Sequence, residues 1–149
     1  GGGCLSPAGS PCACTGKPAS GNYYLTSFDG TTCSCGSCHE YGEFFTADRQ
    51  RFGCGSYLTI CRQTSCVKAR VTDYGPSCFV ENDAGGPVLD ASPAICQALF
   101  SSSSCGWSDH FTVHVSQALA PEEDGIPLGP FTVNETSYAE LVETGVRLE

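Results

Sequence analysis

Basic residues and methionine are scarce in this sequence. Its 149 residues include no methionine, and seven lysines and arginines stand against sixteen aspartates and glutamates, which gives a net charge of −9 at neutral pH. A surface this acidic repels the phosphates of nucleic acids, so we exclude nucleic acid as a partner. It also disfavours electrostatic adhesion to anionic membranes or cell walls. Any polymer that the protein handles must therefore be held by local contacts or be recruited by a separate module.

Long apolar segments are missing as well. No run approaches the roughly 20 apolar residues that a transmembrane helix requires, and no signal peptide is recognisable. Twelve cysteines are present, an even number near the density typical of disulfide scaffolds in oxidising compartments. We therefore expect a secreted, extracellular monomer without membrane contact, with all twelve cysteines paired in an order that the sequence leaves open.

Composition divides the chain into three parts. Residues 1–21 begin with three glycines, which we interpret as the end of a linker after another domain, and they contain three cysteines. Residues 22–117 contain the alternating segments typical of strands, and we expect them to form the main domain. Residues 118–149 open on an acidic, proline-rich connector and are expected to form an extension packed on that domain.

The C-terminal part carries two predicted elements. A strand is predicted over residues 131–134 and a helix over residues 138–144. Ser137 and Glu140 have the spacing of a capping box at the start of that helix. Asn134 begins a glycosylation sequon, which is compatible with secretion.

Two aspartates end predicted strands in the middle of the chain. Residues 67–72 alternate apolar and polar side chains, the pattern of a strand with one buried face, and Asp73 follows directly. Val88 and Leu89 predict a second, short strand that leads to Asp90. Asp is common in turns and caps, so position alone does not assign a function to either residue.

A helix begins directly after Asp90. Ser92 and Pro93 have the residue types preferred at the N-cap and at the first helical position, and they predict a helix over residues 93–100. The partial positive charge of that helix N-terminus favours a carboxylate in front of it.

Two further strands flank this region. Residues 22–29 alternate in the same way and end at Asp29. Residues 110–115 form another alternating segment, in which we expect both His110 and His114 to lie on a solvated face.

The segment 31–39 concentrates cysteine and histidine. Cys33, Cys35, Cys38 and His39 offer ligand types that bind zinc. Their spacing is not that of the usual zinc motifs, and the other cysteines indicate an oxidising compartment. We therefore predict disulfides here and no metal.

The motifs resemble those of a known fold family. The segments YLTSFDG, FGCGSYLTI, VKARVTDYGP and VLDASPAIC follow one another as in six-stranded double-psi β-barrels. Over residues 22–115 the chain is similar to expansins, barwin-like proteins, rare lipoprotein A and the family 45 endoglucanases. The resemblance implies a mainly β fold with short helices and multiple disulfides.

The resemblance also implies a set of site residues. Asp90 falls on the aspartate that is the general acid of the family 45 enzymes, and Asp29 falls on their catalytic base. Asp83 or Glu81 lies where those enzymes have a further loop acid, and we expect Asp73 to brace the site through hydrogen bonds to the backbone. The candidate sugar-stacking residues are Tyr24, Tyr74 and Trp107.

Departures from the family 45 pattern shift the expected substrate. Val88 and Leu89 replace the His-Phe pair that precedes the acid in those enzymes, so the chain is not an ordinary cellulase. Its cysteine density, its glycine-rich start and the run SCGWSDHF are similar to secreted fungal muramidases, in which a small wall-binding module precedes the barrel. The implied function is hydrolysis of bacterial peptidoglycan without a cofactor.

Several functions remain open at this level. Two carboxyl groups roughly 6.5–9.5 Å apart would give hydrolysis with inversion, with Asp90 as acid and Asp29 as base. Asp90 would donate a proton near neutral pH only if burial outweighs the helix N-terminus in setting its pKa. The alternatives are an endo-β-1,4-glucanase, a lytic transglycosylase that needs one carboxyl group, and a non-enzymatic expansin-like or protease-inhibiting module.

Overall fold

The structure is a computed structural model that describes residues 16–144. The expected linker and the cysteines at positions 4, 12 and 14 lie outside the described residues. The described strands are β1 (Asn22–Ser27), β2 (Thr32–Cys33), β3 (Gly36–Ser37), β4 (Phe45–Thr46), β5 (Tyr57–Arg62), β6 (Ser65–Val71), β7 (Val88–Ala91), β8 (Thr112–Ala118) and β9 (Gly129–Thr132). The described helices are α1 (Arg49–Phe52), α2 (Cys78–Ala84), α3 (Pro93–Phe100), α4 (Pro121–Asp124), α5 (Glu135–Thr144) and a 3-10 helix, Trp107–Asp109.

Six of these strands close into a barrel. The neighbours run β4, β7, β1, β8, β5 and β6, and β6 pairs again with β4 to complete the ring. The pairs β1–β7 and β4–β6 are parallel, whereas β9 pairs antiparallel with β6 on the outside of the ring. This mainly β barrel with short helices confirms the predicted fold class, and its six strands fit a double-psi β-barrel.

Alternation along the strands determines which side chains fill the barrel. Leu25 of β1 and Leu89 of β7 are partners in the parallel register, and both are fully buried. The next pair in the register, Thr26 and Asp90, therefore faces away from the interior. The apolar core includes Tyr23, Leu25, Leu58, Ile60, Val67, Ala69, Val71, Leu89, Ala91, Val113 and Val115.

The predicted solvent exposure of the polar face of β6 is wrong at Lys68. This side chain is only 1% exposed, because β9 pairs with β6 and α4 follows beside it. The Lys68 ammonium group donates to both carboxylate oxygens of Asp124, at 2.6 and 2.7 Å, and to the carbonyl of Leu119 at 2.8 Å. A buried lysine is tolerated here because its charge is paired and its hydrogen bonds are made.

The predicted exposure of His114 is wrong as well. Only 5% of His114 is accessible, and burial lowers the pKa of its imidazole. The ring packs against Gly21, where a Cβ would come within 2.5 Å of the imidazole Nε2. Tyr138 and Val142 of α5 line depressions beside it. Gly21 and α5, which border His114, lie outside the predicted barrel segment.

The C-terminal helix begins earlier than predicted. α5 starts at Glu135, and the Oδ1 atom of Asn134 accepts a hydrogen bond from the backbone N–H of Ser137 at 2.7 Å. Asn134 is therefore the capping residue, and the predicted capping box that starts at Ser137 is wrong. Leu141 anchors the helix on the barrel through a cluster with the bridged cysteines Cys61 and Cys66.

The cysteines that were considered as alternative zinc ligands form disulfides. The described bridges are Cys33–Cys38, Cys35–Cys54, Cys61–Cys66 and Cys96–Cys105. All three cysteines of the segment 31–39 are thus oxidised, and residues 16–144 hold no cluster suited to a metal ion. The full predicted set of bridges stays a prediction, since some cysteines lie outside this range. Within the same range, no helix combines the length and hydropathy needed to span a membrane.

Candidate active site

Asp90 occupies the outer face of β7 next to the predicted helix. α3 spans Pro93–Phe100 as predicted, with Ser92 at its N-cap position. The Ser92 hydroxyl does not cap the helix, because it donates instead to the carbonyl of Glu43 at 2.6 Å. The Asp90 carbonyl accepts a hydrogen bond from the N–H of Ala47 at 2.8 Å. β7 is therefore held on both sides, by β1 and by the segment that follows β4.

Asp90 is half-buried, and its carboxyl group has no ion-pair partner among the described residues. Its Oδ1 atom is inaccessible to solvent and has no hydrogen-bond partner among the described residues. Burial, followed by the negative charge of Asp73, raises the pKa of Asp90 to about 7. Both causes disfavour ionisation of Asp90. At neutral and acidic pH a large fraction of Asp90 carries a proton that it can donate.

Asp73 is held by hydrogen bonds from backbone groups, and its predicted role in bracing the site stays a prediction. Its Oδ1 atom accepts hydrogen bonds from the N–H groups of Ser34 and Tyr74, each at 2.9 Å. Its own carbonyl accepts from the N–H of Arg49 at 3.0 Å. These contacts orient a carboxylate whose charge acts on Asp90.

Asp29 lies in more open surroundings. It follows the end of β1, and its side chain is 62% exposed. Its Oδ1 atom contacts His39 Nε2 at 3.1 Å and accepts from the N–H of Gly30 at 2.8 Å. It borders a groove of about 300 Å³ whose other described lining residues are His39, Glu43, Phe45, Ser92, Pro93, Ala94, Gln97 and Ser103.

The two predicted catalytic acids share an end of the barrel but not an environment. β1 and β7 are parallel and adjacent, so Asp29 and Asp90 both lie towards the carboxyl ends of neighbouring strands. Asp90 is not among the residues that line the groove of Asp29. The carboxylate that acts on Asp90 is Asp73.

The further predicted acids, Glu81 and Asp83, lie on α2 in opposite environments. Glu81 is fully buried and forms two hydrogen bonds of 2.8 Å with the guanidinium of Arg51. It also accepts from the N–H of Val88 at 2.7 Å. Glu81 therefore cannot touch a substrate, although it does hold the start of the strand that carries Asp90. Asp83 is exposed.

The three candidate aromatic residues are accessible in part. Tyr24 lies two residues before Thr26 on the outer face of β1, with its ring 4.8 Å from that of His110. Tyr74 is 43% exposed beneath the guanidinium of Arg49. Trp107 is 37% exposed, on a 3-10 helix that packs against β1 and α2.

Sequence reasoning missed the contact between His39 and Asp29. The sequence presented His39 only as a possible zinc ligand. The Cys33–Cys38 bridge closes a small loop with the β2–β3 hairpin, and this loop returns the chain to Asp29. Cysteines five residues apart are a signal for such a loop, but they do not reveal which side chain the loop places next to Asp29.

Comparison with known proteins shows which sequences this chain resembles. The sequence profile of the family described as AlyA, Lysozyme A, matches residues 12–147. Lysozyme A of Dictyostelium discoideum is 48% identical over 141 residues, which cover 93% of this chain and 76% of that protein. Lysozyme B and Lysozyme C of the same organism are each 46% identical with the same coverage. These relatives come from a social amoeba, so the expected fungal origin is not shown.

Proposed function

The chain belongs to the Lysozyme A (AlyA) family, and we propose from this premise that it is a muramidase that hydrolyses the glycan strands of bacterial peptidoglycan with Asp90 as general acid. The lysozyme activity is supported by the relatives at 46–48% identity over most of the chain. The observation that carries the role of Asp90 is its burial without a cation, with a pKa of about 7.

Protonated Asp90 supplies the step that a glycoside needs first. The leaving oxygen of a sugar is a poor leaving group until it receives a proton, and a carboxyl group with a raised pKa can donate one. Asp73 supports this role because its negative charge disfavours ionisation of Asp90. We assign Asp73 to positioning and electrostatic support, since its carboxylate is engaged by Ser34 and Tyr74.

We assign the base to Asp29. Its side chain is open to solvent, and its described hydrogen bonds both fall on Oδ1, which leaves Oδ2 for a water molecule. Asp90 is paired with Thr26, three residues before Asp29. Asp29 lies beyond the end of β1 at Ser27, at the same end of the barrel, and an inverting pair requires carboxyl groups roughly 6.5–9.5 Å apart. The proposed outcome is inversion at the anomeric carbon.

We assign the substrate contacts to side chains that are at least partly exposed. Tyr24, Tyr74 and Trp107 present ring faces that can stack on sugars, and exposed Asp83 offers a polar contact from α2. The four described disulfides support an oxidising compartment, so we also propose that the protein is secreted and acts as a monomer.

The test compares three variants on purified peptidoglycan and on soluble cellulose. Release of reducing ends is measured for Asp90→Asn, for Asp29→Asn and for Glu122→Gln, a control that removes an exposed charge on α4. We expect activity on peptidoglycan only, its loss in both aspartate variants, and no change in the control. Retention of full activity by Asp90→Asn would contradict the proposal.

Product analysis separates the remaining alternatives. An inverting hydrolase yields reducing ends of one anomeric configuration, whereas a lytic transglycosylase yields 1,6-anhydro ends and survives the loss of Asp29. Cleavage of cellulose in preference to peptidoglycan would indicate an endoglucanase. Release from neither glycan would indicate a binding or inhibitory module.

A further inference from the structure

We propose that His39 is a positioning residue that orients the Asp29 carboxylate so that one of its oxygens faces the groove and can hold water. This inference rests on the proposed function, in which Asp29 is the base. It adds a residue that the resemblance to barrel enzymes does not supply, because the sequence presented His39 only as a candidate metal ligand.

The hydrogen bonds of Asp29 define its orientation. His39 Nε2 lies 3.1 Å from Oδ1, and the N–H of Gly30 donates to the same oxygen at 2.8 Å. Two donors on one oxygen restrict rotation of the carboxylate. Oδ2, which has no described partner, is left to accept a proton from a water molecule in the groove.

The imidazole is itself fixed by packing. Its ring meets the ring of Phe45 edge-on, with centroids 4.7 Å apart and planes at 71°. Phe45 is 1% exposed and packs in turn against Phe28 at 5.5 Å. The residue before His39 is Cys38, which is bridged to Cys33. A rigid support of this kind is what a general base needs, since rates fall steeply when a reacting group is misplaced.

The exposure of His39 and Asp29 indicates that their contact orients Asp29 and does not serve to stabilise the fold. The side chains of His39 and Asp29 are 45% and 62% exposed, so water screens their interaction and the pair adds little to folding. The groove beside them also contains Glu43 as a titratable group. Its volume of about 300 Å³ is at the lower end of the range for small-ligand pockets.

Two substitutions separate the hydrogen bond from the ring packing. His39→Phe keeps an aromatic edge against Phe45 and removes the donor, so we expect kcat on peptidoglycan to fall about 10- to 100-fold with little change in KM. His39→Gln places an amide near the position of Nε2, and we expect it to retain kcat to within about 10-fold. Glu40→Gln, a neighbouring exposed charge without contact to Asp29, serves as the control.

Rescue by azide distinguishes positioning from general damage. Azide attacks the anomeric carbon without a base, the glycosidic C–O bond breaks, and the leaving oxygen takes its proton from Asp90, which gives a glycosyl azide. We expect added azide to raise the rate of Asp29→Ala, which vacates the carboxylate site, to raise the rate of the double variant Asp29→Ala with His39→Phe to a similar level, and to leave the wild type unchanged. Failure of azide to restore the double variant while it restores Asp29→Ala would overturn the inference.

A double variant distinguishes failure of this inference from failure of the proposed function. If His39 acts through Asp29, the variant Asp29→Asn with His39→Phe is no slower than Asp29→Asn alone. If Asp29→Asn is inactive and His39→Phe has wild-type kcat, the positioning role is wrong and the base assignment stands. If Asp29→Asn retains full kcat, the base assignment itself is wrong. Where His39→Phe does not fold, the same comparison is made with His39→Ala.

Discussion

Two carboxyl groups lie at strand β7, Glu81 fully buried and Asp90 half-buried, and among the described residues only Glu81 pairs with a cation. Glu81 accepts the N–H of Val88 at the start of the strand and is paired with Arg51. Asp90, two residues after Val88, has no cation within residues 16–144, and burial followed by the negative charge of Asp73 raises its pKa. Glu81 lies on α2 and contacts the start of β7, whereas Asp90 lies on β7 itself, and the two acids differ in their partners.

The contacts within the Arg51 cluster compensate its charged groups for the loss of water. The guanidinium contacts Glu81 and Asp48 at 2.8 Å each, it donates to the carbonyl of Gly16 at 2.7 Å, and the side chains of all three charged residues are at most 2% exposed. Burial still raises the pKa of Asp48 to about 6, against the opposing effect of Arg51. The cluster joins α1, α2 and β7. Its buried acids have a structural role, because their charges are paired with Arg51.

The contrast indicates how function can be recognised among buried acids. A paired carboxylate has its lone pairs occupied and cannot exchange a proton without loss of its contacts. An unpaired one is a local cost to folding, and it is suited to proton donation near neutral pH. Asp90 is of the second kind, and the experiments below test whether this distinction holds.

The largest expected effect is on catalysis at Asp90. Asp90→Asn removes the proton donor, so we expect kcat on peptidoglycan to fall about 100- to 10,000-fold. The thermal midpoint should stay the same or rise, because a buried unpaired acid is replaced by a neutral group. Calorimetry and initial rates check both parts, and a marked loss of stability would place Asp90 in the structural class with Glu81.

The next effect is on folding at Arg51. Arg51→Met leaves Glu81 and Asp48 buried without their cation, so we expect the free energy of unfolding to fall by roughly 3–5 kcal/mol. Urea denaturation measures the change. Arg49→Met, at an exposed neighbour without a described ion pair, is the matched control and should lose far less. Equal losses in the two variants would mean that the buried cluster adds nothing specific.

A third test uses pH. The pKa of Asp90 is raised in the folded protein to about 7, so the folded state binds the proton more tightly than the unfolded chain does. The resulting stabilisation is complete below pH about 4 and disappears as the pH rises to about 7, a change of at most roughly 4 kcal/mol. Urea titrations of the wild type and of Asp90→Asn should agree near pH 4 and diverge as the pH rises to about 7, with the wild type becoming the less stable of the two. Parallel curves would show that Asp90 has an ordinary pKa.

The smallest effect is a shift of the pH–rate profile. Asp73→Asn removes the charge that helps to raise the pKa of Asp90, and burial remains as the first cause. We therefore expect the basic limb of kcat to move to lower pH by roughly 1 unit or less. The profile is measured at saturating peptidoglycan, with Glu122→Gln as control. A shift to higher pH would contradict the assigned direction.

Much of the scaffold was predictable from local pattern. Residues 67–72 and 22–29 alternate as strands and fill the barrel with one face, and α3 has the predicted bounds after Ser92 and Pro93. Asp73 accepts hydrogen bonds from backbone N–H groups, while its bracing of the site stays a prediction. These features depend on residues close in sequence, or on motifs with a known arrangement.

Errors occurred where a second layer covers the barrel. Lys68 and His114 have the alternation of solvated positions, but both are buried because β9, α4 and α5 pack outside the sheet. The contact of His39 with Asp29 was missed for a related reason, since it depends on how a bridged loop returns to β1.

The amino-acid sequence by itself determined the strands and which of their side chains share a face, because a side-chain period of two is a property of the extended backbone. Tertiary structure alone decided which charges meet. Arg51 and Glu81 are thirty positions apart, and Lys68 and Asp124 are fifty-six apart. Pairing over such distances depends on chain closure and packing, so only the folded barrel distinguishes the paired Glu81 from the unpaired Asp90.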